Sequence, residues 1–288
     1  MKILLVNKYL YRKGGAETYF IKLGEYLKSL GNEVEYFGMA DERNCVENRV
    51  EAYTENIDFH KKSLKHITYP FKIIYSVNAR KQIRKVLSDF KPDVVHLNNF
   101  NYQLTPSIIY EIKKRNIPIV YTAHDVQLVC PNHKLKNDYT YGLCRKCDGG
   151  KYFECVKNNC VHSSKIRSIL GAVEAWYYKL RHTYKMIDLT VCPSEFMEKE
   201  ISRNDDINGR TVTMYNFIDE IKPLGAECEN YVLYFGRYSE EKGILNLVKA
   251  AKKLSNIPFV FAGKGELENE VNSADNIKTV SYTHLTLP

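Results

Sequence analysis

Long apolar segments are missing from this 288-residue sequence: no run of 18 apolar residues occurs, so no stretch is predicted to cross a bilayer as a helix. The apolar stretch at the N-terminus, Ile3 to Val6, is too short for a signal peptide and favours a buried first strand. We therefore expect a cytoplasmic protein. In that compartment the eight cysteines are not expected to form a disulfide framework.

The G-x-G-x-x-G spacing of dinucleotide-binding proteins is also missing, although the chain has 15 glycines. Without that spacing, and with no acidic residue placed for a ribose, an NAD-dependent enzyme is disfavoured.

Positive charge exceeds negative charge, with a formal net charge of +8. Lysines and arginines concentrate between His60 and Lys91, where they alternate with apolar residues. A solvated basic helix explains this pattern, and so does a segment that rests on the anionic inner face of a membrane. Excess positive charge also suits anionic partners such as nucleotide-sugar phosphates.

Short apolar runs alternate with helical patterns along the chain, which predicts an α/β fold with parallel sheets. We expect a first domain over 1–218 with a cysteine-rich insertion at 126–162, a linker at 219–230, and a second domain over 231–279. The second domain has room for three strands at most, too few for a sheet covered on both faces, so we expect it to be incomplete.

Two motifs in the first domain follow predicted strands. Gly14 and Gly15 precede a helix, where free N–H groups and a positive dipole end favour an anion. A tight turn would also require glycine there. His124 and Asp125 end another strand, the usual ligand-binding edge of an open α/β sheet, where they could contact a sugar or move a proton.

Two further motifs follow strands of the second domain. Arg237 and Lys242 lie between a strand and a helix, where a guanidinium and an ammonium could neutralise a diphosphate without a metal. Gly263 and Gly265 follow the next strand and would let a ligand approach the backbone.

The motifs occur in a fixed order: Gly-Gly-Ala-Glu, Thr-Ala-His-Asp, Pro-Ser, Asn-Phe-Ile-Asp, Gly-Arg-x-x-x-x-Lys-Gly and Gly-Lys-Gly. Over roughly residues 1–279 this order resembles glycosyltransferase family 4, the group 1 retaining transferases with the GT-B fold of two Rossmann-like domains. The resemblance implies transfer from a nucleotide-sugar donor to a glycan or lipid-linked acceptor in cell-surface polysaccharide synthesis, at the cytoplasmic side with possible peripheral membrane contact.

The resemblance also implies roles for individual residues. Arg237 and Lys242 would hold the donor diphosphate, Gly14 and Gly15 would lie against the donor, and His124 would sit beside the transferred sugar. No essential metal is implied.

One departure concerns the family's pair of glutamates, eight residues apart, which contact the donor and have no counterpart here. We therefore expect this polypeptide to be inactive or nearly so. Residues 280–288 resemble a translated sequencing adapter, which predicts a non-native tail.

Five cysteines fall between Cys130 and Cys160, and Cys144-x-x-Cys147 has the spacing with which two thiolates bind one zinc ion. Cys130 and Cys160 could complete the set, with Cys155 as an alternative to Cys160, or the thiols could stay without a ligand. The same insertion suggests a second function, a basic zinc-knuckle module that binds nucleic acid. The glycine-lined strand ends favour the transferase, for which no nucleic-acid partner is expected.

Overall fold

The computed structural model of this chain describes residues 1–56, 69–137, 142–218 and 230–280. The chain divides into two compact units, 1–218 and 219–288. None of the helices in these described ranges is long and apolar enough to span a membrane. Most of the predicted linker, the lysines at 61, 62 and 65, and residues 281–288 of the predicted tail lie outside the described residues.

The first unit is built on a six-stranded parallel sheet in the order β2-β1-β3-β4-β5-β6. Its strands are β1 (Lys2–Val6), β2 (Glu33–Phe37), β3 (Val94–Leu97), β4 (Ile119–Thr122), β5 (Leu189–Cys192) and β6 (Thr211–Thr213). Because side chains alternate along a strand, Ile3 and Leu5 of β1 pack into one apolar cluster while Leu4 and Val6 pack into the other. The sheet is therefore buried on both faces, as expected of a parallel sheet.

Seven helices accompany this sheet in the described part of the unit. They are α1 (Gly15–Ser29), α2 (Tyr69–Ile74), α3 (Val77–Phe90), α4 (Ile108–Lys113), α5 (Phe153–Lys157), α6 (Lys165–Leu180) and α7 (Glu195–Ile201). Serine side chains cap three of them: Ser76, Ser164 and Ser194 each accept a hydrogen bond from the backbone N–H three residues later.

A buried carboxylate receives two arginines of the basic region. Glu111 of α4 is 1% exposed and pairs with Arg80 and Arg84 of α3. Burial acts to raise the pKa of Glu111, but the two guanidinium groups outweigh it and lower that pKa to about 2. Two of the four basic side chains of α3 are thus paired with a buried carboxylate, while Lys81 and Lys85 stay exposed.

The cysteine-rich insertion contains little regular structure. Within its described residues, α5 and a short 3-10 helix at Asp148–Gly150 are the helical elements, and there is no strand. Arg145 bonds to the buried Glu200 of α7, and Asp148 pairs with Arg203 just beyond that helix. These ion pairs attach the insertion to the body of the unit.

The second unit has a three-stranded parallel sheet in the order β7-β8-β9, formed by Val232–Phe235, Phe259–Ala262 and Ile277–Val280. Two helices, α8 (Ile244–Lys253) and α9 (Glu268–Val271), pack against it. On β7, Leu233 and Phe235 remain 47% and 66% exposed. Apolar side chains of this strand therefore lack cover within the described residues.

The predicted α/β class is confirmed, and the first strand predicted at Ile3 to Val6 lies within β1. The sequence patterns missed α2, α5, α9 and β9, which are four to six residues long and thus too short to show a period. Val280, assigned to the tail, is the last residue of β9.

Candidate active site

The sheet order of the first unit reverses between β1 and β3, because β2 lies on one side of β1 and every later strand lies on the other. In open parallel sheets, ligands bind at the carboxyl ends of the strands at such a switch point. Asn7 and Lys8 follow β1, and Asn98 and Asn99 follow β3. The two ends are tied together, since Lys8 N–H donates to Asn99 O over 2.7 Å and Asn99 N–H donates to Asn7 Oδ1 over 3.0 Å.

Gly14 and Gly15 lie beyond β1, at the start of α1. Gly14 is the N-cap in an extended conformation, and Gly15 is the first helical residue. A Cβ atom added at Gly15 would meet no protein atom within 4 Å, and neither glycine has a positive φ. The turn itself therefore does not require glycine here. An open helix N-terminus without side chains suits close approach of an anionic group.

We expect Gly15→Ala to leave the free energy of unfolding unchanged or raised by up to about 1 kcal/mol, because alanine favours helix over glycine. Binding of a ligand at the α1 N-terminus should weaken. Thermal unfolding and nucleotide-sugar binding would measure the two effects. Gly24→Ala is the matched control, since its Cβ would lie 2.2 Å from the Tyr36 hydroxyl and should destabilise the unit. A Gly15→Ala variant that unfolds as readily as the control would contradict this prediction.

His124 lies just after β4, where the sequence placed it. Its Nε2 is 2.9 Å from Asn98 Oδ1, and its ring makes an edge contact with Tyr19. Because an amide oxygen only accepts, Nε2 carries the proton and Nδ1 remains an acceptor. Burial lowers the pKa of His124 to about 4, although the Asp125 carboxylate opposes it. A neutral imidazole that can accept a hydrogen bond from a hydroxyl therefore stands at this edge.

A matched variant can isolate the pH dependence due to His124. The unfolded imidazole has a pKa near 6.5, so between about pH 6.5 and 4 the unfolded chain binds a proton that the folded His124 does not. Folding stability from this group is therefore lost as pH falls. We expect His124→Gln to gain stability relative to the unsubstituted chain between pH 8 and pH 5 in denaturant titrations. His162→Asn, at an exposed position, is the matched control variant.

Asp125 turns toward the cysteine-rich insertion. Its Oδ2 lies 3.2 Å from His133 Nδ1, and its Oδ1 accepts from Gln127 N–H over 2.9 Å. Burial acts to raise the pKa of Asp125, but the bond to His133 outweighs it and the pKa stays below its usual value. Asp125 thus orients His133, whose ring stacks on Tyr102 with centroids 5.7 Å apart.

Several site residues were missed by the sequence patterns. Lys8 Nζ donates to Asn101 Oδ1 over 3.2 Å, and burial with Lys13 nearby lowers its pKa to about 8. Asn98 is fully buried, and its Nδ2 has no hydrogen-bond partner among the described residues. Both residues lie within two positions of a strand's carboxyl end, so the strand-end rule applied to every strand could have found them. His133 has no such signal, because a tertiary contact brings it to Asp125.

In the second unit, Arg237 follows β7 and Lys242 ends a 3-10 helix before α8. Arg237 is exposed and pairs with Glu241, four residues later. Lys242 is also exposed. Gly243 adopts φ +71°, which glycine tolerates best, and lets the chain turn from the 3-10 helix into α8. Both predicted cations therefore lie in the loop between β7 and α8, and both are accessible to an anion.

Gly263 and Gly265 have a packing role that the sequence did not reveal. A Cβ at Gly263 would lie 1.9 Å from Gly236 O, and one at Gly265 would lie 2.2 Å from Tyr238 O. Lys264 O accepts from Tyr238 N–H over 3.0 Å. These two glycines let the loop after β8 lie against the loop that carries Arg237.

The predicted zinc ligands Cys130, Cys144, Cys147 and Cys160 gather around one small cavity, which Cys155 also lines. In the described ranges, no three His, Cys, Asp or Glu side chains already surround a position that a metal ion could occupy. Burial and neighbouring thiols raise the pKa of Cys147 to about 12, which counts against a nucleophilic role for it.

Comparisons with known proteins agree with this architecture. The model of Glycosyltransferase Family 4 matches residues 13–221. A Klebsiella pneumoniae protein described as an uncharacterized 42.6 kDa protein in the cps region is 26% identical over 280 residues, which cover 92% of this chain and 68% of that protein.

Solved structures agree in fold. Anabaena Alr3699/HepE in complex with UDP and glucose has a TM-score of 0.56 at 15% identity, covering 98% of this chain and 69% of that one. The lipopolysaccharide outer core galactosyltransferase WaaB, in its apo form, has a TM-score of 0.52 at 12% identity, covering 98% and 68%. The expected GT-B fold of Rossmann-like units is confirmed, and this chain belongs to Glycosyltransferase Family 4.

Proposed function

We propose that the protein is a retaining glycosyltransferase that moves a sugar from a nucleotide-sugar donor to a glycan or lipid-linked acceptor. The observation that carries this proposal is the open glycine pair at the β1–α1 turn. Gly15 has no packing reason to be glycine, and it opens a 15-residue helix at the switch point of the sheet. Such a turn suits a phosphate or sugar that lies against the backbone.

The donor diphosphate is assigned to Arg237 and Lys242. A departing nucleoside diphosphate gains negative charge as the glycosidic bond breaks, and a guanidinium with an ammonium can offset it without a metal. Glu241 holds Arg237 in the absence of donor, so the diphosphate would replace a carboxylate as its partner. The UDP and glucose bound in HepE support a uridine nucleotide as the first donor to test.

His124 and Asp125 take different roles. Neutral His124 accepts a hydrogen bond from a hydroxyl of the transferred sugar at Nδ1, while Asp125 orients His133. With the leaving diphosphate drawing in the acceptor hydroxyl on the same face, the anomeric configuration is retained. Asn98 acts through His124, because its Oδ1 keeps the His124 proton on Nε2 and leaves Nδ1 as the acceptor.

Surface polysaccharide synthesis is the proposed setting. The cps-region description of the Klebsiella relative and the lipopolysaccharide role named for WaaB support it. We place the protein in the cytoplasm, with exposed Lys81 and Lys85 of α3 available for a peripheral contact with the inner membrane face. Nucleic-acid binding is less well supported, because Arg80, Arg145 and Arg203 are engaged by carboxylates.

We further propose that the 288-residue chain lacks part of its donor-binding domain and is inactive by itself. The exposed Leu233 and Phe235 of β7 support this, because a parallel sheet normally has both faces covered. Resequencing the locus tests it directly. A longer frame that carries the paired glutamates is expected, and a stop codon directly after the present end would contradict it.

The activity test compares this chain with the longer frame. Each is incubated with UDP- and GDP-sugars and an acceptor extract, and release of the nucleoside diphosphate is measured. We expect release by the longer protein and background release by the 288-residue chain. If the longer protein binds no nucleotide sugar and shifts in a salt-dependent way with RNA or DNA, the transferase proposal is wrong.

A further inference from the structure

The cysteines of the insertion converge in a way that their sequence positions do not require. Five of them line one cavity of about 10 Å³, close to the space of a single water-sized sphere. They come from separate stretches: the segment after β4, the Cys-x-x-Cys turn, α5 and the segment after α5. The other described cysteines, Cys45 and Cys192, do not line it. The cavity residues are Cys130, Cys144, Cys147, Cys155 and Cys160.

The cysteines share this cavity with two aliphatic and four polar or charged side chains. Val129 and Leu135 are the aliphatic side chains of its lining, which otherwise consists of the cysteines and of polar or charged residues. Asn137 is 4% exposed, and its amide donates to Cys144 Sγ over 3.1 Å. An N–H donor aimed at sulfur stabilises a thiolate more than a neutral thiol. Donors of this kind commonly support the ligands of metal sites.

The insertion has little regular structure to hold it in place. Its described residues contain no strand and one five-residue helix, of which Cys155 is the buried member. Between positions 136 and 162 the buried apolar side chains of the described residues are Tyr152 and Cys155, and metal binding can supply further stabilisation there.

We propose that Cys130, Cys144 and Cys147, with a fourth thiolate from Cys155 or Cys160, bind one structural zinc ion. Four thiols lose their protons to solvent as four Zn–S bonds form, which closes a tetrahedral site with no open position. Among the described residues the sulfur atoms do not surround a common point, so zinc binding requires thiols to rotate toward the cavity. The proposal requires rotation about χ1 between staggered positions to bring them there.

The proposed ion has a consequence for the site at the sheet edge. His133 follows Cys130 by three residues and bonds to Asp125. Its backbone N–H donates to Cys130 O over 2.9 Å. Zinc on Cys130 would therefore fix the turn that presents His133 to Asp125. The proposal does not depend on transferase activity, because metal content can be measured in an inactive chain.

The first test measures metal in the 288-residue chain purified without a histidine tag under reducing conditions. Elemental analysis should give about one zinc per chain for the unsubstituted protein, as a closed site requires. Thiol titration checks that the cysteines are reduced. Cys45→Ser, a matched control at an exposed cysteine outside the cavity, should keep this content. Cys144→Ser and Cys147→Ser should each lose most of it.

A second measurement needs no variant, in case those substitutions unfold the insertion. Cobalt added to the zinc-free chain should give the intense absorption of tetrahedral cobalt–thiolate bonds. A chelator should speed hydrogen exchange across 126–162 while leaving β7 to β9 unchanged. The proposal is overturned if the unsubstituted chain holds no zinc and shows no cobalt–thiolate band, if Cys144→Ser and Cys147→Ser keep the full zinc content, or if thiol titration finds a Cys155–Cys160 disulfide in its place.

Discussion

Replacing both Arg237 and Lys242 with alanine is expected to lower kcat/KM for sugar transfer by roughly 10²–10³-fold or more in a protein that carries the complete donor-binding domain. Removal of one preorganised group that stabilises transition-state charge costs about 3–4 kcal/mol in other enzymes. The loss should fall mainly on kcat, because the diphosphate gains charge as it leaves. Release of nucleoside diphosphate under saturating donor would measure it.

The control for this experiment is Lys249→Ala, which removes an exposed cation of α8 in the same unit. It should leave kcat unchanged, and thermal unfolding should show that both proteins stay folded. Loss of a single such group lowers kcat by more than about tenfold in other enzymes. If the double variant keeps more than about a tenth of the activity, then these cations do not stabilise the leaving diphosphate.

Gly263→Ala is expected to destabilise the second unit by about 3 kcal/mol or more, the upper range for overpacking. The new Cβ would lie 1.9 Å from Gly236 O and 2.9 Å from Tyr238 Cε1. Backbone cannot yield as the end of a flexible side chain can, so the loop that carries Arg237 must move. Hydrogen exchange along β7 to β9, together with thermal unfolding, would report the change.

Gly243→Ala gives a graded comparison in the same unit. Its Cβ would meet nothing within 4 Å, but φ is +71°, so only backbone strain of about 1 kcal/mol is expected. Hydrogen exchange in the first unit should be unaffected by either glycine substitution. If Gly263→Ala proves no more destabilising than Gly243→Ala, the packing role assigned to Gly263 is wrong.

Much of the fold could be predicted because its signals are local. Short, largely apolar runs such as Leu189–Cys192 and Phe259–Ala262 coincide with β5 and β8, since a buried strand shows as an apolar run bounded by turn residues. The same locality placed His124 after β4 and Arg237 after β7. Family membership followed from the order of such motifs, and the family match confirms it.

The basic region shows where local signals fail. Arg80 and Arg84 contribute to a pattern that suits either solvent or a membrane surface, yet both bond to Glu111, 31 and 27 residues away. A charge pattern along one helix does not specify a partner on another helix. The buried carboxylate that engages these arginines becomes visible only when α3 and α4 pack together.

The sequence by itself determined most of the strands and placed His124 and Arg237 at strand ends, because both depend on neighbours along the chain. The tertiary structure decided what those side chains meet. The crossover from β2 to β3 brings Lys8 and Asn98 to one edge, and the folded insertion brings His133 to Asp125. The tertiary structure also gives the two glycines different surroundings: Gly15 has open space beside it, whereas Gly263 lies against backbone. Packing, and not residue type, decides which distant segments come into contact.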